Sequence, residues 1–357
     1  MTTASGLTIG VDAHKRVHAA VAVDGQGRVL EQWRGPNTPE GWQAVAAWAD
    51  QVAAGVAVAP SGTLTWGIEG AWQYGRGLAQ QLVAGGAAVV DVNPRWTAGM
   101  RRGSRTPGKS DRLDAQAVAW VVQREPDLPR VPAEDATAVA AVLVAEREAL
   151  MSEQTQLRNR LHQTLTQLDP QYGERVGELT STAGVARVLA WEMPADQLGQ
   201  ARLVAAQRLA RRLTLAMEQT ATVTTHLEAL GRTHYQPLLA LCGVGELTAA
   251  TLAALLGPGH RFATDAQVAA YAGVAPLEAS SGERVRHRLN RGGNRQFNAV
   301  VERIARNQAR WHPPAHAYLA RRQAEGKTVR EARRCLKRYI IRAIWQAWQL
   351  CEPPPLT

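Results

Sequence analysis

The chain has 357 residues and a formal net charge of +10, from 41 Lys and Arg against 31 Asp and Glu. That length favours two compact units with a connector over a single core, and that charge favours a polyanionic partner, nucleic acid first. Cys242, Cys335 and Cys351 are widely spaced without a CxxC pair, and no apolar run reaches the roughly 18 residues that span a bilayer; neither a disulfide framework nor a cysteine zinc site is suggested, and a soluble protein in the cytoplasm is expected.

Apolar runs predict strands over residues 7–12, 17–23 and 29–33, the last two joined by the turn formers Asp24-Gly25-Gln26-Gly27. Thr38 can cap a helix that starts at Pro39 and carries Trp42, Val45, Ala46 and Ala49 on one face. A strand over 64–69, a helix over 74–83, a strand over 87–92 and a helix from Asp111 through Ala115, Val118 and Val122 follow. Three strands, helix, strand, helix, strand, helix is the order of ribonuclease-H-like α/β domains. Before the last of these helices, Arg95, Arg101, Arg102, Arg105 and Lys109 stand among glycine and proline and read as a loop facing phosphate.

Pro126, Pro129 and Pro132 mark a break. Beyond it Leu143, Leu150, Leu157, Leu161, Leu165 and Leu168 recur at helical spacing, and a second amphipathic stretch covers 201–230. Two long helices around a loop with Asp169-Pro170 predict an antiparallel coiled-coil arm, its seam interrupted by Arg147 and Gln154. The last third opens on Cys242-Gly243-Val244-Gly245 before a helix over 247–256. Backbone N–H groups at Gly243 and Gly245 can hold a phosphate, as in helix-hairpin-helix elements, or the pair is only a corner between helices. Arg284, Arg286, Arg288, Arg291 and Arg295 then head a basic run to Arg342, opposed only by Glu283, Glu302, Glu325 and Glu331. That imbalance reads as a nucleic-acid surface; His287, Trp311, Tyr318, Tyr339 and Trp345 within it either stack on bases or belong to the core.

Four acids carry the chemistry. Asp12 and Glu69 each end a predicted strand, and Asp111 and Asp114, three apart, share one face at a helix start. Each has an ordinary reading: Ser110 or Asp111 as N-cap, Asp114 as a first-turn acid, Asp12 and Glu69 as turn residues. Their joint placement on elements whose order brings such positions together points instead to an oxygen cage for Mg²⁺, or Mn²⁺, of the kind that acts on phosphodiesters. Actin-like ATPases also begin with a strand ending in Asp, but need Gly and Thr after it. Ala13-His14-Lys15-Arg16 follows here, with Lys15 either a phosphate contact or simply exposed.

Ile9-Gly10-Val11-Asp12-Ala13-His14-Lys15, Ile68-Glu69-Gly70, Val92-Asn93-Pro94, Gly108-Lys109-Ser110-Asp111-Arg112-Leu113-Asp114-Ala115 and Arg158-Asn159-Arg160-Leu161-His162 stand in the first half of the chain. Cys242-Gly243-Val244-Gly245, Tyr271-Ala272-Gly273-Val274-Ala275-Pro276, Ser281-Gly282 and Arg291-Gly292-Gly293-Asn294 follow in the second. In this order, over about residues 7 to 350, the segments resemble the successive motifs of the DEDD transposases, serine-dependent, bridge-RNA-guided recombinases of bacterial insertion sequences.

The resemblance implies a RuvC-like domain over 1–128 whose Asp12, Glu69, Asp111 and Asp114 hold Mg²⁺, a helical coiled-coil arm over 129–235, and a mostly α transposase domain over 236–357 with a basic tail. It places the nucleophile at Ser281, with the adjacent Ser280 one register step away. No local His or Asp could complete a triad with that serine, so metal held by the acidic domain must help activate it. The implied product is a phosphoserine link to a DNA end, with double-stranded DNA and a structured guide RNA as partners. Relatives assemble as dimers and tetramers in which the serine of one subunit completes the metal site of another. Ala71-Trp72 departs from the small Thr and Gly usual after the Glu-Gly step. Two alternatives remain: a hydrolytic junction-resolving nuclease that uses the four acids and a metal-bound water, and a catalytically silent nucleic-acid-binding descendant.

Overall fold

Alternation of buried aliphatics with small or acidic residues lets the central strands serve two different faces. The computed structural model describes residues 6–55, 64–102, 110–125, 127–259, 261–275, 277–278, 287–288 and 292–356, and the chain divides into two units, Met1–Glu134 and Asp135–Thr357.

In the first unit β1 (Thr8–Ala13) pairs antiparallel with β2 (Val17–Val23), which pairs antiparallel with β3 (Val29–Pro36). After α1 (Pro39–Gly55) come β4 (Thr65–Glu69), α2 (Arg76–Ala84), β5 (Ala88–Val92), α3 (Pro94–Arg102) and α4 (Asp111–Arg124). β4 lies parallel to both β1 and β5, giving the order β3-β2-β1-β4-β5. This is the ribonuclease-H-like sheet that the order of elements predicts. Ile9, Val11, Trp66 and Ile68 face a core with Val45 and Ala49 of α1 and Leu78 and Ala79 of α2. The opposite face receives α4, where Ala115 and Ala119 pack on Ala19, Val21 and Val23, and Val118 and Val121 pack on Val92.

Two glycines set how close α4 comes. A Cβ on Gly10 would lie 2.2 Å from the Ala115 carbonyl oxygen and 2.4 Å from the Ala119 nitrogen, and one on Gly67 would lie 2.3 Å from Val122 Cγ2. The helix backbone therefore rests directly on β1. Ser110 caps it, its Oγ accepting from Leu113 N at 3.3 Å, so the capping reading of that serine is correct and leaves both aspartates on the first turn.

The connector after β5 differs from the expected loop, since residues 94–102 form α3. Pro94 suits a first helical position, Asn93 Oδ1 accepts from Arg95 N at 2.9 Å, and Thr97 is fully buried. A proline-led, arginine-rich stretch carries too little apolar periodicity to show this helix in advance.

The second unit contains α5 (Ala136–Leu168), α6 (Tyr172–Val176), α7 (Thr182–Leu189), α8 (Gln197–His234), α9 (Gln236–Leu239), α10 (Glu246–Leu256) and α11 (Asp265–Tyr271). A short ladder, β6 (Leu277–Glu278) with β7 (His287–Arg288), precedes α12 (Arg295–Trp311), α13 (Pro313–Ala324) and α14 (Val329–Trp348). α5 and α8 run antiparallel, as Arg147 reaches Thr224 Oγ1 at 2.9 Å while Arg202 reaches the Gln167 carbonyl at 2.9 Å. The two polar residues in the seam are both satisfied: Gln154 Nε2 donates to Ala216 O at 3.0 Å and to Thr220 Oγ1 at 2.6 Å. Beyond Asp169-Pro170 the chain forms α6 and α7 rather than one loop, and Val176, Val185 and Val188 close a core with Leu157, Leu161, Leu165 and Leu213. The other end of α8 enters a separate core around Tyr235, Phe297, Ile341 and Trp348. No helix among the described residues is long and apolar enough to cross a membrane.

Replacing Gly10 with valine is expected to lower the unfolding free energy by about 2–3 kcal/mol, because helix backbone rather than a movable side chain fills the space. Urea denaturation of the full chain checks this, with Ala46→Val, which is only partly buried, as a control of small effect.

Candidate metal centre

Asp12 and Glu69 are direct neighbours in the β1–β4 pairing, and alternation puts both on the face that carries Gly10, Gly67 and α4. Asp111 and Asp114 occupy the first turn of that helix. Asp12 and Asp114 are buried, at 7% and 5% exposure. All four acids thus meet at one end of the sheet.

The tightest group is Asp12, His14 and Asp111, one ligand atom from each lying within 4.8 Å of the others. His14 Nε2 sits 3.0 Å from Asp12 Oδ2 and 3.7 Å from Asp111 Oδ1, and Arg34 Nη2 is 3.5 Å from Asp111 Oδ2. Glu69 and Asp114 stand outside this group but close enough to act on Asp12 electrostatically. Burial pushes the Asp12 carboxyl up to about 6; His14 opposes the shift, and Asp114, Glu69 and Asp111 add to it. Its Oδ2 is buried, and the His14 Nε2 3.0 Å away is not aligned to donate a hydrogen bond to it.

These features fit a divalent cation. A buried carboxylate oxygen with no aligned hydrogen-bond donor, surrounded by further carboxylates, is stabilised by a hard cation in a way that exposed salt bridges cannot match. A nitrogen ligand at His14 also suits Mn²⁺.

Several positioning residues carry no sequence signal of their own. Thr97 Oγ1 lies 2.9 Å from Glu69 Oε2 and 3.0 Å from the Pro94 carbonyl, so α3 holds the glutamate in place. Gly70, at φ +73°, turns the chain sharply after Glu69, and Asp91 Oδ1 accepts from Ala71 N at 3.3 Å. Asn37 Nδ2 reaches the carbonyls of His14, Lys15 and Tyr74 at 3.2–3.4 Å, tying the turn after β1 to the turn after β4. His14 itself went unassigned; the available clue was an Asp-x-His alternation at a strand end, which places both side chains on one side. Trp72 lies on the turn after Glu69 and is 37% exposed.

Of the nucleic-acid candidates, Gly243 has φ +86° and packs against α12, its Cβ position 3.1 Å from Asn307 Cβ, whereas Gly245 caps α10 and faces open space. The first turn of α10 already holds an anion, Glu246, paired with Arg232 at 2.6 and 2.7 Å. Arg295 is exposed at the start of α12. Arg101 and Arg102 belong to α3 and Arg288 to β7, without described side chains; Arg105, Lys109, Ser280, Ser281, Arg284, Arg286 and Arg291 lie outside the described residues. Part of the basic run is internal structure, with Arg338 and Arg342 on Asp265 and Arg306 and Arg333 on Glu302. Its aromatics divide likewise: Trp345 donates to the Phe262 carbonyl at 3.1 Å, while Trp311 is 70% exposed with Arg310 5.0 Å from its ring.

Residues 9–170 match the family described as "Transposase", and residues 235–320 match "Transposase IS116/IS110/IS902 family". An uncharacterized 44.8 kDa protein of insertion element IS116 from Streptomyces clavuligerus is 24% identical over 95% of this chain and 94% of its own length. The corresponding IS900 protein of Mycobacterium paratuberculosis is 25% identical over 94% of each. The IS110 protein of Streptomyces coelicolor is 29% identical over 59% of this chain, which spans only 63% of that relative. Among solved structures, RuvC of T. thermophilus in complex with a Holliday junction substrate aligns with 35% of this chain and 99% of its own, at 14% identity and a TM-score of 0.27.

The raised Asp12 pKa has a signed consequence. A carboxyl whose folded value lies above its unfolded value stabilises the fold at low pH, and that contribution is lost as pH rises through about 6. Asp12→Asn is therefore expected to stabilise the metal-free protein at pH 7.5, by an amount on the order of 1–3 kcal/mol. In wild type, Mg²⁺ or Mn²⁺ should raise the melting temperature, and in Asp12→Asn it should not. Thermal scans with and without metal at pH 5 and 7.5 check both statements.

Proposed function

Because the chain belongs to the IS110-type DEDD transposases, enzymes that move insertion-element DNA, we propose that Asp12, Glu69, Asp111 and Asp114 hold Mg²⁺ and that Ser281 is the nucleophile of strand transfer. The observation that carries this reading is the convergence of four acids around a buried Asp12 whose ionisation the other three oppose. Random capping and turn residues have no reason to create such repulsion. Bound Mg²⁺ would neutralise charge developing on the phosphoryl oxygens.

What the chain itself contributes is a nucleophile and a scaffold. The serine Oγ forms a bond to phosphorus as the bond from phosphorus to the departing sugar oxygen breaks, and the serine proton passes to that oxygen. The strand is then linked to the enzyme as a phosphoserine, and attack by another strand's hydroxyl reverses the step without an external energy source. Asp12 takes no part in bond formation; it and its neighbours place the cation. His14 lies between Asp12 and Asp111 and serves either as a further ligand or as the group that a cation displaces.

The partners in this reading are double-stranded DNA and a structured guide RNA. Arg101, Arg102, Arg105, Lys109 and the arginines from Arg284 to Arg295 supply phosphate contacts. The α5–α8 pair acts as a coiled-coil arm for association of copies into dimers and tetramers on DNA.

With the gene and its natural flanking DNA on a plasmid, sequencing should detect excised-circle junctions for wild type. Ser281→Ala should reduce them to background while band shifts on the same DNA remain within about twofold, since one hydroxyl contributes little to phosphate binding. Asp12→Ala should also reduce junctions to background. Loss with Ser280→Ala instead would move the nucleophile by one residue, and DNA cleavage surviving in Ser281→Ala would favour hydrolysis by water.

A further inference from the structure

The ladder β6–β7 pairs Leu277 with Arg288 and Glu278 with His287, and residues 279–286, between the two strands in the chain, include Ser280 and Ser281. The described residues on either side of this segment are fastened to each other with unusual closeness. A Cβ on Gly293 would lie 2.3 Å from both Cα and N of Gly273, so the two backbones touch. Asn294 N donates to the Tyr271 carbonyl at 2.7 Å, and Asn294 Nδ2 reaches Tyr271 Oη at 3.0 Å. Gly273 turns the chain at φ +64°, and Val274 and Ala275 both donate to the Ala269 carbonyl, at 2.8 and 3.0 Å.

Asn298 on α12 lies beneath this junction. Its Nδ2 donates to the carbonyls of Ala272 and Gly273 at 2.9 and 3.4 Å, and its Oδ1 accepts from Lys337 Nζ at 2.7 Å. Lys337 is 7% exposed, on a face of α14 with Leu336, Ile340 and Ile341. Its remaining neighbour is Glu302 Oε2 at 3.4 Å, and that carboxylate is braced by Arg306 at 3.1 Å and Arg333 at 3.3 Å.

A carboxamide has a donor end and an acceptor end that occupy nearly the same space, and contacts alone decide which way round it sits. The ammonium of Lys337 can only donate. It therefore selects the orientation in which Asn298 turns its oxygen to α14 and its NH₂ to the two carbonyls. Without a donor at 337 the two carbonyls still favour the NH₂ end, but the amide oxygen loses its partner and the side chain loses its tether to α14. A buried lysine costs stability relative to an apolar residue of similar size, and the fixed amide is the specificity it confers.

We infer that Lys337, acting through Asn298, is a positioning residue that fixes the base of the segment carrying Ser280 and Ser281. This inference rests on the reading of Ser281 as nucleophile for its catalytic consequence, but not for its structural one. Lys337 acts by holding the Ala272–Gly273 backbone against Gly293.

The test compares full-length wild type, Lys337→Met, Lys337→Arg, Asn298→Asp and Ser281→Ala. Hydrogen exchange at the amides of Val274, Ala275 and Asn294 should accelerate by about tenfold in Lys337→Met, the factor expected for losing a charge-assisted hydrogen bond of roughly 1.5 kcal/mol. Excised-circle junctions should fall by a similar factor while the melting temperature is unchanged or raised. Asn298→Asp keeps a partner for the ammonium but removes both donors to the carbonyls, so it should fall as far as Lys337→Met. Lys337→Arg, also donor-only, should recover most of the loss. Wild-type exchange at the three amides in Lys337→Met would overturn the clamp, and accelerated exchange with unchanged junction yield would overturn its part in positioning the serine. Junctions that persist in Ser281→Ala would remove the serine reading, while the exchange rates would still decide the clamp.

Discussion

The site depends on one close contact, that of α4 with the backbone of β1. At Gly10 the space a side chain would need is taken by the Ala115 carbonyl and the Ala119 nitrogen. That contact brings the first turn of the helix level with the end of the strand, and only then do Asp111 and Asp114 meet Asp12 and Glu69. A helix held one side chain further out would present the same acids to solvent as ordinary first-turn residues. Gly67 repeats the arrangement on β4, so the glycines belong to the metal chemistry as much as the acids do.

Once the acids meet, folding works against the ionisation of Asp12. Burial raises the Asp12 carboxyl, and three like-charged neighbours raise it further. His14, 3.0 Å from Asp12 Oδ2, relieves part of this, but it is largely exposed and its attraction is screened. A cation that enters the cluster gains what the folded chain has withheld from its carboxylates. The site is thus strained in its charge rather than in its backbone, and that strain is what a bound cation would relieve.

Much of the first unit was legible in the chain because its strands are short apolar runs bounded by turn formers. The 17–23 prediction coincides with β2, and 7–12 misses β1 by one residue at each end. The four acids were legible for the same reason: strand and helix ends are where periodicity stops. What escaped was held by contacts that periodicity does not report. α3 has an arginine-rich sequence and is fixed by Thr97 against Glu69 and by Asn93 at its start. α6 and α7 are short, and their valines matter only because Leu157, Leu161 and Leu165 of a distant helix lie against them. Asn37, Asn298 and Lys337 are ordinary residues in sequence and acquire meaning from partners many positions away.

The two units hold their chemistry in opposite ways. In the first, charges of one sign are gathered and left for a ligand to balance. In the second, part of the basic run pairs within the fold, with Glu302 shared by Arg306, Arg333 and Lys337 and Asp265 shared by Arg338 and Arg342. Counting charge along 283–342 therefore overstates the surface available to phosphate, and exposed groups such as Arg295 and the Arg310–Trp311 pair are the better candidates there. The paired arginines have another use: they brace a carboxylate that steadies a buried lysine, and the lysine orients one amide beneath the Gly273–Gly293 contact. A basic run of this composition can bind nucleic acid and still be, in part, a scaffold.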